Sequence, residues 1–264
     1  MRRSAPIGLS LAVAIVIATR LLAAEPTVSV WYRGSPPGQP RQDDLAVIRA
    51  LGFNSVTWPS ASAGGVADLR RMADIVGVGV QVRSESLPLT AVSAMRPHTA
   101  MDLPARDVAA DDMPALVWRA VAHGTRVICF DPGPADGTGL QNEAGRPAPW
   151  VQMAKTIARQ LSFNAKLFSD LRMGPPVSVL GPASPALDVV LMQDERSWVL
   201  FATNATRGRI KAIARLPPIV PAALWVNLLD GSQMSMLSQP VGPRWDLDLE
   251  AGAARVYVIS KVEK

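Results

Sequence analysis

One cysteine, two histidines and two tyrosines in 264 residues leave little material for several common chemistries. A single cysteine, Cys129, excludes an intramolecular disulfide, so the core alone must hold the chain together even in an oxidising compartment. His98 and His123 stand apart, with no cysteine at ligand spacing, which gives no support to a zinc site. The loop Asp131–Gly139 (DPGPADGTG) lacks the alternating acids and distal glutamate of an EF-hand loop. A Gly-x-Ser-x-Gly elbow, a phosphate loop and a dinucleotide fingerprint following a strand are all missing. No cofactor and no metal are therefore expected. Internal repeats and low-complexity tracts are absent too.

Long apolar runs are also scarce. Near the N-terminus Ile7–Thr19 is apolar for thirteen residues, behind the basic Met1-Arg2-Arg3 and ahead of Leu22-Ala23-Ala24. This is the pattern of a secretory signal over residues 1–24, cleaved before Glu25. The stretch is shorter than the roughly twenty residues that span a bilayer, and Arg20 interrupts it. Export to the periplasm or the extracellular space is expected, with an uncleaved N-terminal membrane anchor as the alternative. Removing Arg2, Arg3 and Arg20 lowers the formal charge from +5 to +2. Nucleic-acid binding, which wants clustered cations with interleaved aromatics, is not expected.

Between residues 25 and 174 the chain alternates strands and helices. Thr27–Arg33, Phe53–Trp58, Val78–Arg83 and Thr125–Asp131 read as strands. Arg41–Gly52, Gly65–Gly77, Asp112–His123 and Trp150 to about Leu171 carry the 3.6-residue spacing of helices. Residues 84–111 lose clear periodicity and offer two short candidate strands, at 89–95 and 99–103. Strands alternating with helices specify a parallel, helix-covered sheet. The region has only about half the roughly 250 residues of a full (β/α) barrel. From Pro175 the period switches to two. Val177–Leu180, Leu187–Gln193, Ser197–Thr203, Ile210–Leu216, Ala223–Leu229, Trp245–Leu249 and Ala254–Ser260 read as strands, separated by turn pairs such as Asp230-Gly231 and Ala251-Gly252. The expected architecture is a truncated, barrel-like parallel sheet over 25–174 followed by an antiparallel β-sandwich over 175–264.

Sites in parallel α/β sheets form at the C-terminal ends of the strands. Those ends carry Arg33, Trp58, Arg83 with Glu85, and Asp131 with Asp136 in the loop behind it. Glu85 and Asp131 are the candidate acid and base. Arg33, Trp58, Arg83, Asp136 and His98 are the candidate saccharide contacts. Each has a structural alternative. Trp31 and Trp58 serve packing as readily as stacking, and Asp131 before Pro132-Gly133 is a common turn former. His123, ahead of Gly124, is placed to satisfy a helix C-terminus. Cys129, mid-strand between Ile128 and Phe130, reads as a buried small hydrophobe. Asn204-Ala-Thr206 matches a glycosylation sequon at a frequency chance supplies.

The run Ala120-Val-Ala-His-Gly-Thr-Arg-Val-Ile-Cys-Phe-Asp131, with Gly145-Arg-Pro and Trp150 behind it, resembles the last βα unit of family 42 β-galactosidases. Val30-Trp-Tyr-Arg33 through Asp44-Leu45 to Leu51-Gly-Phe-Asn-Ser-Val56 is similar to the first two strands of those barrels. Trp225–Gly231 and Ala254–Ile259 resemble the β-domain that follows many of them. The resemblance implies a glycosidase ancestry and a saccharide ligand. Family 42 enzymes place one glutamate, usually after asparagine, behind strand four and a second behind strand seven. This chain has no Asn-Glu behind a strand in its α/β half, since Asn142-Glu143 lies in the loop after the last strand. No catalytic residue is carried over, and strands one to three lead almost directly to the helix before strand eight. Two readings follow: an exported glycosidase-like enzyme, and a non-catalytic glycan- or protein-binding descendant. Pairing with a second copy, which would complete the unfinished sheet, is a third expectation.

Overall fold

A computed structural model of the chain describes residues 26–32, 39–59, 65–83, 100–105, 107–132, 140, 147–182 and 184–261. Five parallel strands form the first sheet: β1 (Thr27–Trp31), β2 (Ser55–Pro59), β3 (Gly79–Arg83), β4 (Ala100–Pro104) and β5 (Val127–Asp131). Their order is β3-β2-β1-β5-β4. In a ring of sequentially neighbouring strands the first also pairs with the last, and here β1 holds both β2 and β5. Among the described residues the sheet is thus an arc of a (β/α) barrel, open between β3 and β4, and not a closed ring. β4 corresponds to the short candidate strand at 99–103, and it takes the edge beside β5. The other candidate strand, at 89–95, lies outside the described residues.

Among the described residues the helices that accompany the sheet include α1 (Gln42–Ala50), α2 (Val66–Val76), α3 (Met113–Ala122) and α4 (Pro149–Phe163). Alternation divides the sheet into two faces. Val28, Val30, Val56, Trp58, Met101, Leu103, Ile128 and Phe130 point to the helices and join Leu45, Ile48, Leu69, Val151 and Ile157 in one core. Ser29, Trp31, Thr57, Asp102 and Cys129 occupy the opposite, concave face. Tyr32 pins the first unit: its hydroxyl donates to Asp44 (2.8 Å) and accepts the backbone N–H of Arg41 (2.8 Å). That N–H opens α1, whose N-cap Arg41 makes no side-chain cap, so the tyrosine supplies what a capping side chain would.

The single long helix expected from Trp150 to Leu171 is two helices, α4 and α5 (Ala165–Asp170). Asn164 separates them, with φ −105° and ψ 17° and a side-chain amide that donates to the Gln160 carbonyl (2.9 Å). Such local bonding competes with the helix ladder. Nine further strands follow: β6 (Arg172–Met173), β7 (Ser178–Leu180), β8 (Leu187–Gln193), β9 (Ser197–Asn204), β10 (Ile210–Arg215), β11 (Leu224–Asn227), β12 (Gln233–Ser235), β13 (Arg244–Leu249) and β14 (Ala254–Ser260). They make a six-stranded sheet, β12-β11-β14-β9-β8-β6, and a three-stranded sheet, β13-β10-β7. β6 and β12 were not anticipated, because two or three residues carry no readable alternation.

The two antiparallel sheets enclose a second core of Trp198, Leu200, Ala214, Trp225, Trp245 and Leu247, with Trp245 edge-on to Tyr257 at 5.2 Å. The opposite face of its central strands, β8, β9 and β14, is covered as well. Val190, Val199, Phe201 and Val256 belong to the core of the parallel sheet, and α3 and α5 lie between, with Trp118, Phe168 and Phe201 in a row of ring contacts. This explains two sequence patterns. β9 reads SWVLFATN, buried at seven of its eight positions because both its faces are covered, whereas β13 reads RWDLDL and alternates because one face is wet. α3 is apolar almost all round because it is enclosed. Among the described residues no helix is long and apolar enough to cross a membrane.

Candidate functional site

The concave face of the parallel sheet is where the barrel topology places a site, and its side chains are polar. Ser29 and Thr57, neighbours across β1 and β2, share a hydrogen bond of 2.8 Å, and the Cys129 thiol donates to the Thr57 hydroxyl at 3.1 Å. All three are fully buried. Burial pushes the Cys129 thiol well above its ordinary range and outweighs the lowering effect of its hydrogen bond with Thr57. Cys129 is therefore the inert thiol its mid-strand position predicts.

Toward the strand C-termini the face carries one charged cluster. Arg83, the last residue of β3, grips Asp102 of β4 with both nitrogens, at 2.7 and 2.9 Å. The Trp31 indole N–H donates to the same carboxylate at 3.2 Å, and the Arg83 guanidinium lies 5.6 Å from the centre of the Trp31 ring. Asp102 is 3% exposed. Because β3 and β4 are the two edges of the sheet, this contact is informative. Five flat strands would set those edges roughly 19 Å apart, farther than an arginine and an aspartate side chain reach together. The sheet therefore curls, and the ion pair links its two edge strands across the mouth of the arc.

The predicted site residues fall into three groups. Arg83 and Asp131 stand at the ends of β3 and β5 on this concave side, Arg83 little exposed and Asp131 partly exposed. The register pairs Asp102 with Cys129 and Pro104 with Asp131, so the two aspartates lie diagonally on adjacent strands. Trp58 is a correction. It points to the helix side, is fully buried and packs against Tyr32 at 5.6 Å, so no face of its ring is open to a sugar. Arg33, Glu85, His98 and Asp136 lie outside the described residues. His123 does end α3, but its ring engages the carboxylate of Asp188 on β8, together with Arg119, instead of the helix carbonyls. The sequon is closed. Asn204 is fully buried and its amide donates to the carbonyls of Gly208, Leu249 and Glu250.

Asp102 is the residue that sequence reasoning missed. A lone acid between Met101 and Leu103, inside a five-residue strand, is the signal that was there to read, since a buried charge on one face of a strand demands a partner. Its partner comes from the far edge of the sheet, and strand periodicity alone does not reveal that.

No family model matches the chain, and no curated protein does. Solved structures similar to it include glycoside hydrolases. An α-amylase from Geobacillus thermoleovorans complexed with acarbose is 12% identical, covering 84% of this chain and 63% of that one, at a TM-score of 0.43. A GH27 β-L-arabinopyranosidase from Geobacillus stearothermophilus is 9% identical over 84% and 62%, at 0.40. A GH42 β-galactosidase from G. stearothermophilus is 20% identical over 44% of this chain and 13% of that one, at 0.22. The chain thus spans about three fifths of the length of the first two. Likenesses this loose leave the strand order and pairing to define the fold.

Proposed function

We infer that the chain is a saccharide-binding protein on a shortened glycoside-hydrolase scaffold, which holds its ligand without cleaving it. The observation that carries this reading is the bonding of Asp102. Glycoside hydrolysis by two carboxylates needs one that is protonated and one that is ionised, about 5–5.5 Å or 6.5–9.5 Å apart across the bond. Asp102, on the concave face below the rim, has both oxygens on Arg83 and one also on Trp31. A buried carboxylate whose two oxygens are both taken up by side chains of the sheet is held away from a ligand at the rim. Its work is to hold the arc together.

The proposed ligand site is the rim itself. Asp131 and Arg83 supply an acceptor and a donor there, and the sequence candidates Arg33, Glu85, His98 and Asp136 are proposed to complete it. The resemblance to family 42 makes a galactoside the first ligand to try. Export through a cleaved segment at residues 1–24 is part of the same proposal, and a mature N-terminus at Glu25 on secreted protein would support it.

The test measures both properties. Purified protein incubated with chromogenic galactosides and glucosides is expected to show no turnover above background. Galacto-oligosaccharide binding, followed by calorimetry, is expected to weaken about tenfold in Asp131→Ala, the size of one lost charge-assisted hydrogen bond. Turnover that disappears in Glu85→Ala or Asp131→Ala would overturn the reading in favour of a hydrolase.

A further inference from the structure

α1 and α4 run back from the rim, so their C-termini meet at the N-terminal end of the parallel sheet. There Arg49, Arg159, Gln160, Phe163, Asn164 and Leu228 line an open groove of about 890 Å³. Phe163 is 91% exposed, whereas every other aromatic side chain of the protein is buried. A fold that encloses thirteen of its fourteen aromatic residues leaves this ring at the surface of a groove. The two arginines add charge, and among the described residues neither is in an ion pair. Two converging helix C-termini contribute about −0.5 each. Two guanidinium groups outweigh them, and the groove carries a net positive charge of roughly one.

We propose that this groove binds an acidic oligosaccharide, one whose sugar rings carry carboxylates. The apolar face of a pyranose ring lies on Phe163, whose exposed π-face suits the C–H groups it presents. The carboxylates pair with Arg49 and Arg159, whose planar forks match a carboxylate in two hydrogen bonds. The Gln160 amide is oriented by the Leu229 carbonyl (3.1 Å) and that of Asn164 by the Gln160 carbonyl (2.9 Å). Each keeps an oxygen and a second N–H for ring hydroxyls. The proposal rests on the saccharide reading for the class of its ligand. Its location, at the opposite end of the sheet from the rim, is independent of that reading.

Calorimetry on the full chain with trigalacturonate as probe tests it. Phe163→Ala and Arg159→Gln change exposed side chains, so the fold is retained. Each is expected to weaken trigalacturonate binding about tenfold, and added salt is expected to weaken it further. Asp131→Ala, on the rim, is expected to leave it unchanged, and uncharged galactotriose is expected to bind the groove far more weakly. No binding of trigalacturonate, or wild-type affinity in both groove variants, overturns the proposal. Loss of binding in Asp131→Ala alone moves the uronate to the rim and sinks the groove while sparing the rim reading. Galactotriose binding that ignores Asp131→Ala sinks the rim reading and spares the groove. A glutamate decapeptide that displaces trigalacturonate with equal affinity overturns the saccharide in favour of an acidic protein partner.

Discussion

Arg83 and Asp102 illustrate how a few side chains can stand in for lost backbone pairing. Both are largely out of water, at 16% and 3% exposed, so removing one partner strands the other charge. Arg83→Met is expected to lower the unfolding free energy, measured in urea, by about 3–5 kcal/mol. The double variant Arg83→Met/Asp102→Leu is expected to recover much of that loss, because no buried charge is then left unpaired. An additive loss in the double variant would show that the pair does not act as a unit. Cys129 makes the second residue-scale prediction. Burial raises its thiol pKa and closes access, so a disulfide reagent should modify it only at the rate of global unfolding. Reaction within the mixing time in native buffer would contradict that placement. Both roles were partly legible. The apolar neighbours of Cys129 give away its burial, whereas the partner of Asp102 depends on curvature that no local pattern encodes.

Among elements, one turn joins the sandwich to the first turn of α3. Gly252, between β13 and β14, has φ +69°, and a Cβ built there would lie 2.3 Å from the Asp111 carbonyl oxygen. Its own carbonyl accepts the N–H of Ala115 in the first turn of α3 (3.1 Å). Gly252→Ala adds the left-handed backbone cost to a collision with main chain, and a loss of roughly 2–4 kcal/mol is expected in thermal or urea unfolding. Stability within a few tenths of wild type would mean that the turn moves freely off the helix. The Ala251-Gly252 pair marked this turn in the sequence, but nothing in it named Asp111 as the neighbour. Elements in general were readable where alternation was long. β8, β9 and β14 stand close to their expected bounds, while β6 and β12 were too short to register. The helix break at Asn164 depended on one amide turning back on Gln160.

For the whole molecule, β3 and β4 are the edges of the arc among the described residues, the setting in which a second copy could add strands. The Arg83–Asp102 bridge lies across that opening within one chain. Light scattering at micromolar concentration is therefore expected to give the mass of a single chain, rising in Arg83→Met as the edges separate. Twice that mass for the wild type would show that the sheet is completed between copies. Sequence grammar could count strands and suggest that a ring had lost its middle. It could not show that the gap falls between β3 and β4, since the order depends on β1 pairing with β5, about one hundred residues away.

That pairing decides where a ring of this kind tolerates the loss or gain of units. If an ancestral ring is cut, excising units next to its seam breaks the hydrogen bonds by which its beginning and end recognise each other. An internal excision leaves that reunion intact and concentrates the damage at one scar. The order β3-β2-β1-β5-β4 among the described residues keeps that reunion, so units added between β3 and β4 would leave the pairing of β1 with β2 and β5 undisturbed.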